Sequence, residues 1–534
     1  MRDKSQSTIH RPAERTNLDS STSSGLILRS IEWVKSQITL DRLLIGGILL
    51  LAAFLRLYRI SDYLTFLGDE GRDVLIVKRM IIDHKWTLLG PITSTGGMYL
   101  GPAYYYFMAP FLWLWRFDPT GPAVMVALFS LATVFLIYEL GREFFDSKIG
   151  LLAAFFYAIS PMAIAYGRSS WNPNILPFFS LFLIYALLKV VVQEKPRWLL
   201  GVGMSLGISL QLHYLALLFL PIISLSLHLA FIEQKQRLLK SLKVLFLLFV
   251  GFLLTFWPFL VFELRHQFPN TQTITRFVLK GGDDATFGLE RFFSVINDSA
   301  VRLFWRLIVI ENAELTKIFI VFILGWLGYF LYRIRKTDGK RFKSMLILAI
   351  WFFVGILALG LYRGAIYDYY FVYLFPLPAL LSSLVFFHLA WTRWGRIIVV
   401  IVVIFLTYFN LSHLPLLKQP SSLLNQTKEI SRFVFERAEG RPYNFALLTE
   451  RNSDHAYRYF LELWGNPPAT IENQTVDPER KTVMDQLIII CEEKVCRPLG
   501  HPLWEIAGFG RAEIEGEWQV SLVKVFKLGR YKGT

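Results

Sequence analysis

The chain reads as a polytopic α-helical membrane protein of about eleven transmembrane helices with a small C-terminal α/β domain outside the membrane. Three observations predict this. Of 534 residues, 54% are hydrophobic and only 18% charged, where soluble domains run near 25% charged. Apolar segments recur from Leu43 to about residue 411, many of them near the length a bilayer requires. The basic residues sit in short runs between those segments, the pattern that orients membrane helices. The net charge of +15 therefore belongs to loops beside a bilayer, and nucleic acid is excluded as a partner.

Residues 1–24 read as a disordered basic tail and Leu26–Leu40 as an interfacial amphipathic helix, together a cytoplasmic segment 1–40. It lacks the apolar core of a signal peptide, so the first span, Leu43–Tyr58, is expected to act as an uncleaved anchor. A charged loop covers 61–100. Gly101–Trp115 is apolar but shorter than the roughly 20 residues a span needs, holds two prolines and is dense in Tyr and Trp. It reads as a helix lying along the membrane surface within an outer loop 61–118.

Later spans are expected at about 120–140, 149–166, 175–192, 198–212, 215–232, 244–262, 316–333, 344–362, 369–390 and 397–411. With 101–115 not crossing, Arg142, Lys148, Lys195, Arg197, Lys240, Arg333, Lys336, Arg341, Arg393 and Arg396 fall on one side. Counting it as a crossing would send every basic loop outside. The expected location is the plasma (inner) membrane, with the N-terminus cytoplasmic and the region 412–534 extracytoplasmic.

From about residue 420 the composition turns mixed. Leu423–Arg437 and Asp454–Trp464 have helical periodicity, while Tyr443–Leu448, Leu487–Cys491 and Val520–Lys527 read as strands. The only cysteines, Cys491 and Cys496, fit either a local bridge or two spectator thiols.

The candidate chemistry collects on the outer face. Asp69, Glu70, Arg72 and Asp73 open a run with helical apolar spacing. Acidic residues favour a helix N-terminus for capping and dipole reasons alone. Gly68 and Gly71 bracket the pair, however, and the spacing sets Asp69 beside Arg72 and Asp73 on one helical face. A carboxylate pair with a cation suits proton abstraction or holding a metal next to a phosphate. Both readings stand at this stage.

Tyr166–Asn174 places Arg168, Trp171 and Asn172 in one tight outer turn. Arg168 can pair with a phosphate or with Asp69, and Asn172 can donate or accept toward a sugar, or the turn simply anchors the interface. His213 and Tyr214 read as a polar outer rim or as a metal ligand. Glu263, Arg265 and His266 end one span, and Arg363, Asp368, Tyr369 and Tyr370 flank another. Basic residues at an outer lip fit a lipid phosphate or snorkelling side chains.

The stretch Phe66-Leu-Gly-Asp-Glu-Gly-Arg-Asp resembles the Asp-Glu signature in the first outer loop of GT-C-type membrane glycosyltransferases. The nearest groups are the protein O-mannosyltransferase-like family (glycosyltransferase family 39) and the lipid A aminoarabinose transferases. The likeness extends through Tyr99-Leu-Gly-Pro-Ala-Tyr-Tyr-Tyr, Leu140-Gly-Arg-Glu-Phe-Phe, Tyr166-Gly-Arg-Ser and Tyr370-Phe-Val-Tyr-Leu-Phe-Pro, covering about residues 43–411. It implies a GT-C-like catalytic region at 41–411 and transfer of a sugar from a polyprenyl-phosphate donor to an outer-face acceptor, with inversion. The acceptor, whether protein, lipid or glycan, is not implied.

By this resemblance Asp69 is the catalytic base and Glu70 supports it. The leaving phosphate would meet Arg168, Arg363 and Arg72. Asn172, Tyr104, Tyr105, Tyr369, Tyr370 and His266 would line the substrate pocket. Some relatives carry an acid where Asn172 stands, so a divalent cation at Asp69 is left open and no metal ligand is assigned. An acidic-basic pair found in the aminoarabinose transferases is replaced by Leu100 and Gly101, so that substrate is not carried over. The competing class is a transporter or flippase of a lipid-linked sugar. It is disfavoured because the span interiors hold few charges and the polar groups gather on one face.

Overall fold

The computed structural model describes residues 39–532 except 94–96, 235–237, 281–287, 311, 363 and 451, together with most of their side chains. The expected tail 1–24, nearly all of the expected helix Leu26–Leu40, and Arg363 lie outside the described residues.

Among the described residues, six helices are long and apolar enough to cross a membrane: Thr120–Phe144, Asn172–Val191, Leu245–Arg265, Ala313–Ile334, Gly339–Gly360 and Arg393–Ser412. A seventh forms if Asp368–Leu374 and Pro376–Leu389, bent by 54°, make one span. Their outward faces are greasy: Phe246, Phe249, Leu254 and Trp257 are each more than half exposed, as suits a lipid-facing surface. The other expected spans are helices of 13 to 18 residues, Leu40–Leu57, Ser147–Ile159, Leu199–Leu212 and Phe219–Gln234. By length and composition the described residues thus supply six or seven of the eleven expected spans, and these four helices are at or below the length of a straight crossing. Ala103–Leu114 is 12 residues, about 18 Å of helix, too short for a bilayer core of about 30 Å.

Proline decides one break that shapes the interior. The expected span 149–166 stops at Ser160, and Pro161 starts a second helix, Pro161–Tyr166. A proline lacks the N–H that would continue the ladder and leaves earlier carbonyls unbonded. Arg56, fully buried, collects them: its guanidinium donates to Ala158 O at 2.9 Å, Tyr157 O at 3.2 Å and Ser130 Oγ at 2.7 Å. An apolar surrounding without water makes such partners obligatory.

The C-terminal region is a four-stranded sheet of order β1-β2-β4-β3, where β1 is Asn444–Leu448, β2 Gln486–Cys491, β3 Ala512–Val520 and β4 Val523–Arg530. β1 and β2 are parallel and the other pairs antiparallel. β1 and β2 are buried along their whole length, because both sheet faces are covered. Phe445, Leu447, Ile488 and Ile490 pack under the helices Leu423–Arg437 and His455–Leu463. The alternate residues Leu448, Leu487 and Ile489 pack against Ile471, Ile506 and Phe509.

One expectation changes here and one open choice is settled. The single expected strand Val520–Lys527 straddles a hairpin: Val520 ends β3 and Val523 begins β4. Cys491 and Cys496 are bridged.

Candidate active site

The acidic run forms the helix Gly68–Ile82, lying against both the aromatic helix Ala103–Leu114 and the tail helix His455–Leu463. Phe66 enters the tail domain and rests on Tyr459 and Phe460. Gly71 is required by the close approach of tail backbone, and Gly68 meets a tail side chain. A Cβ on Gly71 would stand 2.3 Å from Ala456 N, and one on Gly68 would stand 2.1 Å from Ser453 Oγ. The close neighbour is therefore the tail domain.

Four acidic and basic side chains in this first turn have separate fates. Asp69 is 58% exposed and pairs with Arg72 Nη1 through Oδ1 at 2.8 Å. Asp73 is fully buried: its Oδ1 accepts from Arg72 Nε at 3.0 Å, Arg72 Nη2 at 2.8 Å and Tyr105 OH at 2.9 Å. Burial pushes Asp73 up to about 6, against the pull of Arg72 and Tyr105. Arg72 bridges the two carboxylates, one facing solvent and one in the interior. Glu70 turns back on its own helix, where Oε2 accepts Leu67 N–H at 3.2 Å. Burial, with the Asp73 and Asp69 charges adding to it, raises Glu70 to about 7.

Asp69 and Arg72 open onto a cavity of about 140 Å³. Its walls come from loops distant in sequence: Thr93, Asn172, His213, Tyr369 and Tyr370 among them. Trp171 meets Tyr369 edge to face at 4.7 Å between ring centres, and His213 packs against Tyr369 and Tyr370. The Asn172 amide donates to Leu212 O at 2.7 Å, fixing this short turn to the end of the helix Leu199–Leu212. His213 accepts Leu215 N–H on Nδ1, and burial lowers its pKa to about 3, so it is a neutral wall of this cavity.

The structure thus brings Asp69, Arg72, Asn172, Tyr369 and Tyr370 together around the cavity and places five other candidates away from it. Glu70 does not reach the cavity, because it caps the helix that carries Asp69. Tyr104 and Tyr105 lie beneath the site, fully buried, bonded to Ser170 and Asp73. Arg168 is turned inward: it donates to Leu55 O and Tyr58 O at 2.8 Å each and stacks on Tyr63. A cation at the carbonyl end of the first span is favoured by the helix dipole. His266 is exposed and stacks on Phe262, bonded to Phe262 O.

A tightly held divalent cation does not match the donors here. Among the described residues Asp69 is the one carboxylate lining the cavity, it is shared with Arg72, and no three His, Cys, Asp or Glu side chains cluster.

What sequence reasoning did not reach is the neighbourhood of Asp368. Arg302 and Arg306 stand 3.4 and 3.6 Å from its two oxygens, on the residue before the Tyr369–Tyr370 wall. They come from the loop 263–315, whose acid and base residues carried no positional signal.

Two comparisons with known proteins bear on this arrangement. The family profile described as dolichyl-phosphate-mannose-protein mannosyltransferase matches residues 100–262. No curated relative matches the chain in sequence. Among solved structures, ArnT from Cupriavidus metallidurans bound to undecaprenyl phosphate is similar over 91% of this chain and 97% of its own, at TM-score 0.60 and 12% identity. Its apo form gives TM-score 0.59 over 93% and 98%, again at 12% identity. This is the GT-C fold. The similarity extends over most of the present chain, and the cavity at Asp69 lies against the helix Gly68–Ile82.

Proposed function

We propose that the protein is a membrane glycosyltransferase that moves a sugar from a polyprenyl-phosphate donor to an acceptor hydroxyl on the outer face of the plasma membrane. The observation that carries the reading is Asp69: an exposed carboxylate, fixed by Arg72, opening on an aromatic and amide-lined cavity at the edge of a GT-C bundle. The family profile and the fold support it. In this reaction the acceptor O–H loses its proton to Asp69 as its oxygen bonds the anomeric carbon. The bond from that carbon to the donor phosphate breaks, and the phosphate leaves on its lipid. Attack from the face opposite the leaving group inverts the centre.

Arg72 orients Asp69 and is committed to two carboxylates, so the phosphate needs other cations. Arg306, 46% exposed beside Asp368, suits the lip where a lipid phosphate would sit, as does Arg363 by its place in the sequence. Tyr369 and Trp171 offer the sugar an aromatic wall, and Asn172 keeps that wall in register. Metal-independent transfer is expected from the donor set, and chelation with EDTA tests it. The N-terminus is expected in the cytoplasm and the sheet domain outside it, which protease protection of sealed vesicles tests.

The direct experiment is transfer from a panel of radiolabelled undecaprenyl-phosphate mannose, glucose, galactose and arabinose in purified membranes. The expected result is label leaving the lipid in at least one arm, lost in Asp69→Asn at equal membrane insertion. A full panel without transfer, but with lipid-linked sugar moved across sealed vesicles, would favour a flippase instead.

A further inference from the structure

The turn that carries Asp69 is held from outside by the tail domain. Gly68 N–H donates to Asn452 Oδ1 at 3.0 Å, between residues 384 positions apart. The same oxygen accepts Ser453 N–H at 2.8 Å. Asn452 Nδ2 donates to both oxygens of Glu492, at 3.0 and 3.3 Å. Glu492 is itself gripped by Thr449 Oγ1 at 2.9 Å and Tyr457 OH at 2.8 Å.

The sequence around these contacts explains their geometry. Gly68 is the first residue of the acidic helix, and the residue before it, Leu67, has no oxygen with which to cap the turn. The first N–H groups of a helix have no partner inside it, and Asn452 supplies one from another domain. Asparagine can present either its oxygen or its NH₂ group. A carboxylate on one side forces the NH₂ toward Glu492 and the oxygen toward Gly68. Thr449 and Glu492 directly follow β1 and β2, whose ends are buried at Leu448 and Cys491. Two of the anchors of the cap therefore sit at the ends of the two buried strands. Lys78 at 3.0 Å and Arg79 at 2.7 Å from Glu462 bind the far end of the same helix to the tail.

We propose that Asn452, oriented by Glu492, is a positioning residue for Asp69, capping the first turn of the acidic helix and setting where the Asp69 carboxylate stands over the cavity. The proposal rests on the reading of Asp69 as the base. The tail domain then contributes to turnover directly, without touching the sugar, because the capped residue immediately precedes Asp69.

The test reverses the polarity of the pair. Asn452→Asp keeps an oxygen for Gly68 but sets a second carboxylate against Glu492. Adding Glu492→Gln restores one donor facing one acceptor with the net charge of the natural pair. Rates are measured in membranes with the undecaprenyl-phosphate sugar that the natural protein turns over fastest. Asn452→Asp is expected to lower kcat by about 30- to 100-fold with donor KM unchanged, the size of effect that a misplaced reacting group gives. The double variant is expected to return kcat to within about threefold of Glu492→Gln alone.

Unchanged kcat in Asn452→Asp, a change confined to KM, or a folded double variant that stays inactive would each overturn the proposal. If Asn452→Asp fails to insert, the double variant alone decides, since its charge matches the natural pair. Asp69→Asn in the same membranes separates the two claims. Full transfer there removes the reading of Asp69. Lost transfer there with normal Asn452→Asp removes only the positioning role.

Discussion

The protein has two openings on either side of one helical turn, and they differ in what built them. The cleft beyond Leu67, about 960 Å³, is framed by Glu450, Glu492, Lys494 and Leu522 of the tail domain. The cavity at Asp69 is about 140 Å³ and is framed by loops of the helical bundle. The larger opening has its key carboxylate, Glu492, consumed by three internal donors. The smaller has an exposed carboxylate held by one cation. On the proposed reading volume and chemistry are thus separated, with the chemistry assigned to the residue whose charge is oriented yet still reachable.

That contrast can be broken at several points. Away from Asp69 itself, the largest effect is expected at Gly71. Gly71→Val puts atoms into the Ala456 backbone, and the tail must lift from the helix. Transfer should fall by about 100-fold or more, with increased proteolysis of the tail domain; unchanged transfer would show that docking is irrelevant to Asp69.

Next is Asp73→Asn. Tyr105 keeps an acceptor, but Arg72 loses its buried counter-charge, a change that typically costs about 3–5 kcal/mol. Arg72 should then close onto Asp69, lowering kcat by about 10-fold or more at an equal amount of inserted protein. A smaller effect is expected from Trp171→Ala, which removes the edge contact on Tyr369. Such pairs contribute about 0.5–1.5 kcal/mol, so donor KM should rise severalfold with kcat retained.

The smallest effect on turnover is expected at Glu70, and it is visible in pH. Its pKa is about 7 in the folded protein against an ordinary 4.5. A raised acid pKa means the folded state holds the proton longer, so stability falls as pH rises from about 4.5 to about 7. Glutamine preserves the backbone bond to Leu67 and cannot ionise. Glu70→Gln should therefore melt higher than the natural protein at pH 8 and match it below pH 4.5, with transfer retained.

Much of this was legible in the sequence. Period, length and basic loops gave the helices, and four charges in five residues marked the site. The tail helices Leu423–Arg437 and His455–Leu463 were readable because their apolar faces repeat cleanly. β3 was not, since Ala512–Val520 is an edge strand with alternating acids and a register shift between Ile514 and Gly516. Arg168 misled because an arginine in a short outer turn reads the same whether it faces a phosphate or the carbonyl end of a helix. Tyr104 and Tyr105 misled because one face of a surface helix cannot be told from the other when both are aromatic. Asn452 was invisible: nothing local marks a side chain that caps a helix 384 positions away.

The account turns on which of two adjacent carboxylates reaches the substrate. Transfer by Asp69→Asn and Glu70→Gln, measured side by side in the same membranes at pH 7 with equal insertion, decides it most directly. The expected result is loss of transfer by about 1000-fold or more in the first and a rate near the natural one in the second. Transfer retained in Asp69→Asn and lost in Glu70→Gln would contradict the account.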